Sequence, residues 1–142
     1  MDFIKSGMLS LIVIASTPST TEYIAPPIND IIPVEEVELT MPQLVDFYAD
    51  KWGVSRNEMQ TTVKCESGYN PKAYNGNDVH KHSVGSLGMC QFSMETFLHY
   101  AKKMGRTDYS NPYDPDEALD VMAYMFSIGQ QRHWSCWVKN FG

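Results

Sequence analysis

The sequence has no surplus of basic residues: 11 Lys and Arg stand against 17 Asp and Glu among 142 residues, a formal net charge of −6. A polyanion groove needs a basic stripe, so no nucleic-acid partner is expected. It also lacks a bilayer-spanning run. The most apolar stretch, Met8–Ala15, covers eight residues where about 20 are needed. There are no internal repeats, and the length suits one domain with a short tail rather than two. Cysteine is scarce and odd in number, at three, so at least one thiol has no mate within the chain.

What charge there is sits unevenly. Residues 16–40 carry Glu22, Asp30, Glu35, Glu36 and Glu38 with no base, whereas residues 41–142 carry 11 acids and 10 bases and sum to −1. Of the 17 aromatic residues, 15 lie beyond residue 40. A nearly neutral, aromatic-rich unit therefore follows an acidic leader. Within that leader, residues 1–15 place Lys5 before the apolar stretch and small residues after it, the order of a signal peptide or N-terminal anchor. Residues 16–40 hold four of the eight prolines (Pro18, Pro26, Pro27, Pro33) and no periodic apolar face, and read as an extended acidic linker.

Residues 41–142 read as a mainly α domain of four or more short helices with a small β or irregular loop. Thr40 caps a helix whose Met41, Leu44, Val45, Tyr48 and Trp52 share one face, with Gly53 as the stop. Ser55-Arg56-Asn57-Glu58 has the form of a capping box and starts a second helix with the stripe Met59, Thr62, Val63. Residues 70–87 are polar, with Asn75-Gly76 as a tight-turn signal. Ser93 caps a third helix (Met94, Phe97, Leu98, Ala101, Met104) that Gly105 closes. Asp114-Pro115-Asp116-Glu117 starts a fourth, apolar nearly all round, which is expected to be the central buried helix.

One more turn along the second helix's stripe falls Glu66. Burial and the negative end of its own helix dipole should both raise its pKa, as general-acid catalysis requires. A buried Glu satisfied by backbone donors, Lys64 or Lys72 is the plainer alternative.

The surrounding residues add a family likeness. Cys65-Glu66-Ser67-Gly68-Tyr69-Asn70-Pro71-Lys72-Ala73 and the later Gly85-Ser86-Leu87-Gly88-Met89-Cys90-Gln91 resemble the soluble-type lytic transglycosylases and their goose-type lysozyme relatives. In that family a Glu-Ser pair ends a helix, an Asn-Pro-x-Ala turn follows, and a Gly-x-x-Gly-Leu-Met-Gln segment opens the next helix. The likeness covers roughly residues 41–129 and implies a lysozyme-like fold. It implies Glu66 as catalytic acid and base, Ser67 as a hydroxyl orienting it or a substrate group, and Gln91 as a sugar-contacting amide. Met89 and Cys90 would line the same wall, and Tyr69 and Trp134 are further candidate substrate contacts. The implied substrate is the peptidoglycan glycan strand, cut between N-acetylmuramic acid and N-acetylglucosamine with a 1,6-anhydro end and no cofactor.

Three points stay open on the sequence. Asp78 is either the second carboxylate of a true lysozyme, to serve as nucleophile or to hold water, or a solvated turn residue beside Asn75, Gly76 and Asn77. The family's closing Ala-Tyr-Asn segment is missing; Gln130–Trp137 stands where it should begin. Trp134, Trp137 or Tyr124 would supply its donor or stacking face, unless each tryptophan merely caps the core. That gap also leaves a non-catalytic peptidoglycan-binding module as an alternative. Finally, the likeness accounts for Cys90 as a stand-in for methionine and so implies a Cys65–Cys136 bridge, although sequence alone fixes no connectivity and leaves three free thiols open. Asp78, His80 and His82 have metal-like spacing, but two ligands on a polar loop are weak grounds and no metal is expected. The expectation is a monomer, secreted, periplasmic or envelope-associated, touching a membrane only through its N-terminal segment if at all.

Overall fold

The computed structural model describes residues 21, 22, 24, 37–79 and 84–142. The signal-like segment, most of the acidic linker, and His80 and His82 lie outside the described residues. The chain divides into two units, Met1–Glu36 and Val37–Gly142, and the second carries every element below. Its elements in chain order are α1 (Met41–Trp52), α2 (Arg56–Ser67), β1 (Tyr74–Val79), β2 (Val84–Leu87), α3 (Met94–Lys103), α4 (Pro115–Ser127), a 3-10 turn (Gln131–His133) and α5 (Ser135–Phe141). Among the described residues no helix is long and apolar enough to cross a membrane.

The four expected helices begin and end where their caps dictate. Ser55, Ser93 and Asp114 each accept the N3 N–H of their own helix, from Glu58, Thr96 and Glu117. Gly53 and Gly68 close α1 and α2 in the left-handed conformation. The capping boxes differ from expectation. At α1 the reciprocal bond is made, the Thr40 N–H donating to Gln43 Oε1 at 2.9 Å. At α2 only half the box forms, because Glu58 turns its carboxylate to the Trp137 indole, whose Nε1–H donates to Oε2 at 2.8 Å.

The core gathers on α4, where Leu119, Val121, Met122, Ala123 and Met125 have no exposed surface. Leu44, Val45 and Ala49 of α1, Met59 and Val63 of α2, and Phe97 of α3 complete it. Truncating any of the larger ones to Ala would cost about 2 to 5 kcal/mol. Asp120, within this apolar helix, is itself fully buried. Lys51 Nζ (2.8 Å), Trp52 Nε1 (2.7 Å) and the Tyr109 hydroxyl (2.7 Å) donate to its two oxygens. The carboxylate thereby ties α1 and the α3–α4 connection to α4. Burial opposes its ionisation, but those donors outweigh burial and hold its pKa below the ordinary range.

β1 and β2 form a two-stranded antiparallel hairpin pairing Tyr74 with Leu87, Asn75 with Ser86 and Val79 with Val84, with a register shift between Asn75 and Val79. Asn75 and Gly76, expected at a tight turn, therefore lie inside β1, which carries three residues between the last two of those pairs where β2 carries one. The tail after α4 contains an element not foreseen. Its seven residues in α5 are too few to make a stable helix alone. A disulfide between Cys65 and Cys136 and the Trp137–Glu58 bond anchor it to α2.

Candidate active site

Glu66 sits in the last turn of α2, one turn beyond the buried Met59, Thr62 and Val63, and is half-buried. Thr62 spends its hydroxyl on the Glu58 carbonyl at 2.8 Å, so the stripe carries no loose polar group up to the acid. Among the described residues, the one hydrogen bond Glu66 accepts comes from the main-chain N–H of Cys136, to Oε1 at 3.3 Å. Its pKa lies above the ordinary carboxylate value: burial raises it, the Cys136 N–H partly opposes, and the negative charge of Asp78 adds to the rise. The neighbour that reinforces burial is thus Asp78, where the sequence pointed to the helix dipole.

Asp78 is not in the solvated turn that was the plainer of the two settings foreseen for it. It lies on β1, half-buried, and accepts the Ser86 hydroxyl at 2.6 Å from the paired strand.

The wall beside α2 is a turn closed by the bridge Leu87–Phe92, with the Leu87 N–H donating to the Phe92 carbonyl at 2.8 Å and the Phe92 N–H returning to Leu87 at 3.0 Å. Only glycine fits its first corner. Gly88 has φ +74°, and a Cβ there would stand 2.1 Å from the Pro112 carbonyl oxygen. Gly85, at φ +93°, lies under the Tyr74 ring, which an added Cβ would meet at 2.6 Å. The two glycines of the motif thus answer to two different neighbours. The turn is sewn to the Asn70-Pro71-Lys72-Ala73 segment by the Gly88 N–H, which donates to the Ala73 carbonyl at 2.8 Å. Asn70 stabilises its own turn by accepting the Lys72 N–H at 3.0 Å.

The residues expected to contact substrate fall into distinct positions. Ser67 directs its hydroxyl to the Met89 carbonyl at 2.7 Å, which fixes the end of α2 to the turn rather than orienting Glu66. Met89 and Cys90 have no exposed surface, so their side chains fill the core beneath the wall instead of lining it. Cys90 is a free thiol whose pKa burial pushes far up, helped by the charge of Glu66. Gln91 is half-buried at a left-handed φ of 54°, and its amide curls back to the Gly88 carbonyl at 2.9 Å. Tyr69, also at positive φ, donates to Gln60 Oε1 at 2.6 Å.

Trp134 is 4% exposed and packs against Phe92 and Phe126, with its indole N–H on the Cys90 carbonyl at 2.7 Å. Its edge joins Gln91, Phe92, Ser93, Thr96 and His133 around a pocket of about 110 Å³. Two wider hollows, of about 330 and 320 Å³, also have His133 in their walls. Glu66 lines none of these three; the first meets the turn that abuts α2 only through Gln91 and Phe92.

Of the three side chains considered as replacements for the missing closing segment, Trp134 serves the core, Trp137 serves Glu58, and Tyr124 packs edge-on against Trp52 at 5.1 Å. The donor that does reach the acid is the main chain of Cys136. Sequence reasoning singles out the cysteine for its sulfur and has no signal for its N–H, because every residue but proline carries one.

No curated protein and no solved structure matches the chain. The family model of the transglycosylase SLT domain matches residues 43–137, from the first turn of α1 to the tryptophan beside Cys136. That span takes in Glu66, the hairpin, both motif glycines and Gln91, and the mainly α fold with its small sheet agrees with it. The chain belongs to the transglycosylase SLT domain family.

Proposed function

We propose that the protein is a peptidoglycan lytic transglycosylase that works with Glu66 as its single acid and base. The observation that carries this reading is the setting of Glu66: a half-buried carboxyl at a helix end, its pKa raised by burial and by Asp78, with one main-chain donor. Such a group holds a proton to higher pH than a surface carboxylate does, and a general acid needs that. The protonated carboxyl gives its proton to the glycosidic oxygen as the muramic C1–O bond breaks. The C6 hydroxyl oxygen then bonds to C1, and its proton returns to Glu66, leaving a 1,6-anhydro end and a free 4-hydroxyl on the departing sugar. Atoms balance without water, and the acid is restored. Gln91 and the edge of Trp134, beside the 110 Å³ pocket, are proposed to contact the glycan. The near-neutral charge of residues 41–142 suits a strand held by hydrogen bonds and aromatic edges. The site of action is the cell envelope or the space outside it, and no cofactor is required.

A second reading, hydrolysis with Asp78 as partner carboxylate, is favoured by one observation: Asp78 is half-buried, hydrogen-bonded by Ser86, and close enough to Glu66 to raise its pKa. Purified sacculi digested with the protein separate the two. Anhydro-muramic ends in the muropeptide masses support the transglycosylase, reducing ends the lysozyme, and binding without either product sinks both. Glu66→Gln should abolish release of muropeptides while sugar binding persists.

A further inference from the structure

Three links join α2 to the chain after α4, and two of them end on one residue. The disulfide runs from Cys65 to Cys136, with Cα atoms 5.9 Å apart, and the N–H of Cys136 donates to Glu66, the very next residue after Cys65. Cys136 lies in the first turn of α5, where main-chain N–H groups have no helical carbonyl to bind. The neighbouring indole donors are already taken, by the Cys90 carbonyl and by Glu58. Seven helical residues do not hold a position by themselves. The Trp137–Glu58 bond ties α5 to the start of α2, and the covalent tether ties the residue that bears this N–H to the end of α2, beside Glu66.

We propose that Cys136 is the positioning residue of this active site: its disulfide to Cys65 holds its main-chain N–H on Glu66 Oε1 and leaves Oε2 to carry the catalytic proton. The proposal rests on Glu66 being the acid. A protonated carboxyl has one oxygen that donates and one that only accepts. A donor on Oε1 selects the form with the proton on Oε2, and among the described residues Oε2 accepts no hydrogen bond. At 3.3 Å the contact is near the long limit of a hydrogen bond, so a small drift of α5 ends it.

Among the described residues, the charged and titratable groups facing Glu66 are Asp78 from β1 and the buried Cys90 thiol from the turn before α3. Loss of the Cys136 N–H leaves burial and Asp78 unopposed, so Glu66 then titrates at higher pH.

The test follows the Glu66 carboxyl by carbon NMR against pH in the full chain, oxidised, reduced with dithiothreitol, and as Cys65→Ser/Cys136→Ser. Reduction breaks the S–S bond with two electrons and two protons, leaving two thiols and cyclic oxidised dithiothreitol. The Glu66 midpoint should move to higher pH in both open forms. Turnover of sacculi should fall about tenfold in kcat with KM nearly constant, as expected for one lost hydrogen bond to an ionisable group. In the oxidised protein the Cys136 amide proton should report the same midpoint as Glu66 itself, a measurement that needs no variant to fold. An amide proton blind to that titration, or one midpoint shared by all three forms, overturns the proposal whether or not the enzyme is active. A moved midpoint with unchanged kcat overturns the catalytic role. The predicted titrations in a protein that cleaves no glycan leave the tether standing and remove the transglycosylase reading instead.

Discussion

The indole N–H of Trp137 donates to Glu58 Oε2 across 79 residues of sequence, joining the first turn of α2 to α5. The same Glu58 offers its own N–H to the Ser55 hydroxyl at 3.2 Å, so one residue serves both the start of its helix and the anchoring of another. Trp137→Phe should cost about 1 to 2 kcal/mol, the worth of a hydrogen bond to a charged group in a part-buried place. Urea unfolding of Trp137→Phe, Glu58→Ala and the double variant measures it, and additive costs would show that the pair is not coupled.

Glu66→Gln should stabilise the fold while destroying activity. A carboxyl whose native pKa is raised makes its full contribution only at low pH, and that contribution is lost as pH rises through the native value. The amide escapes the loss. The melting temperature of Glu66→Gln should therefore match the wild type in acid and exceed it at neutral pH, and the reverse order would contradict the raised pKa.

Asp78→Asn removes one of the two causes that raise Glu66. The alkaline limb of kcat/KM should then move to lower pH. For a transglycosylase turnover at the optimum should stay within about threefold, whereas a lysozyme would lose a catalytic carboxylate and roughly 100-fold or more. The pH–rate profile with sacculi reads both quantities together.

Asp120 should govern stability in acid. Its pKa is depressed, so its contribution is present above the ordinary Asp range near 3.9 and is lost as pH falls through the native value. Asp120→Asn should cost about 2 to 3 kcal/mol at neutral pH. That is less than for a wholly buried pair, because the Lys51 side chain is 42% exposed and water screens it. The deficit should shrink towards low pH in urea titrations; a constant deficit would mean that the charge is not what is lost.

The two motif glycines should respond unequally to alanine. At Gly88 the obstacle is the Pro112 backbone, which cannot step aside, and the cost should reach about 3 kcal/mol or more. At Gly85 it is the ring of Tyr74, a side chain that is 61% exposed and free to swing, and the cost should be nearer 1 kcal/mol. Urea midpoints for Gly85→Ala and Gly88→Ala settle the order.

Local chemistry makes four helices legible in the sequence, because Thr40, Ser55, Ser93 and Asp114 start them and Gly53, Gly68, Gly105 and Gly129 follow their ends. Glu66 is legible for a related reason: a carboxylate on an apolar stripe contradicts its period. The same contradiction marks Asp120 in α4, but there the apolar residues on every side of the helix hide a lone acid among them. Other features depend on residues far away in sequence. Glu58 has the right place for a capping box, and only Trp137, from the far end of the chain, diverts it. Asp78 has turn-forming neighbours, and only the pairing of β1 with β2, with the Ser86 hydroxyl reaching its carboxylate, puts it in a strand. Met89 and Cys90 follow a motif that lies beside the site, yet the turn carries their side chains inward, and spacing alone does not report that direction.

The bridge between Cys65 and Cys136, 71 residues apart, also makes that stretch of chain a closed loop containing the hairpin, α3 and α4. A protease that cuts once inside the loop leaves a single covalent molecule, with Glu66 and Gln91 still in one piece. A cut between α1 and α2, in contrast, removes the covalent link of α1 and leaves it held by packing and by its bonds to Asp116 and Asp120 of α4. Nicked protein should run as intact chain on a gel until thiols are added, so the parts that bear the acid and its wall survive a first cleavage as one unit.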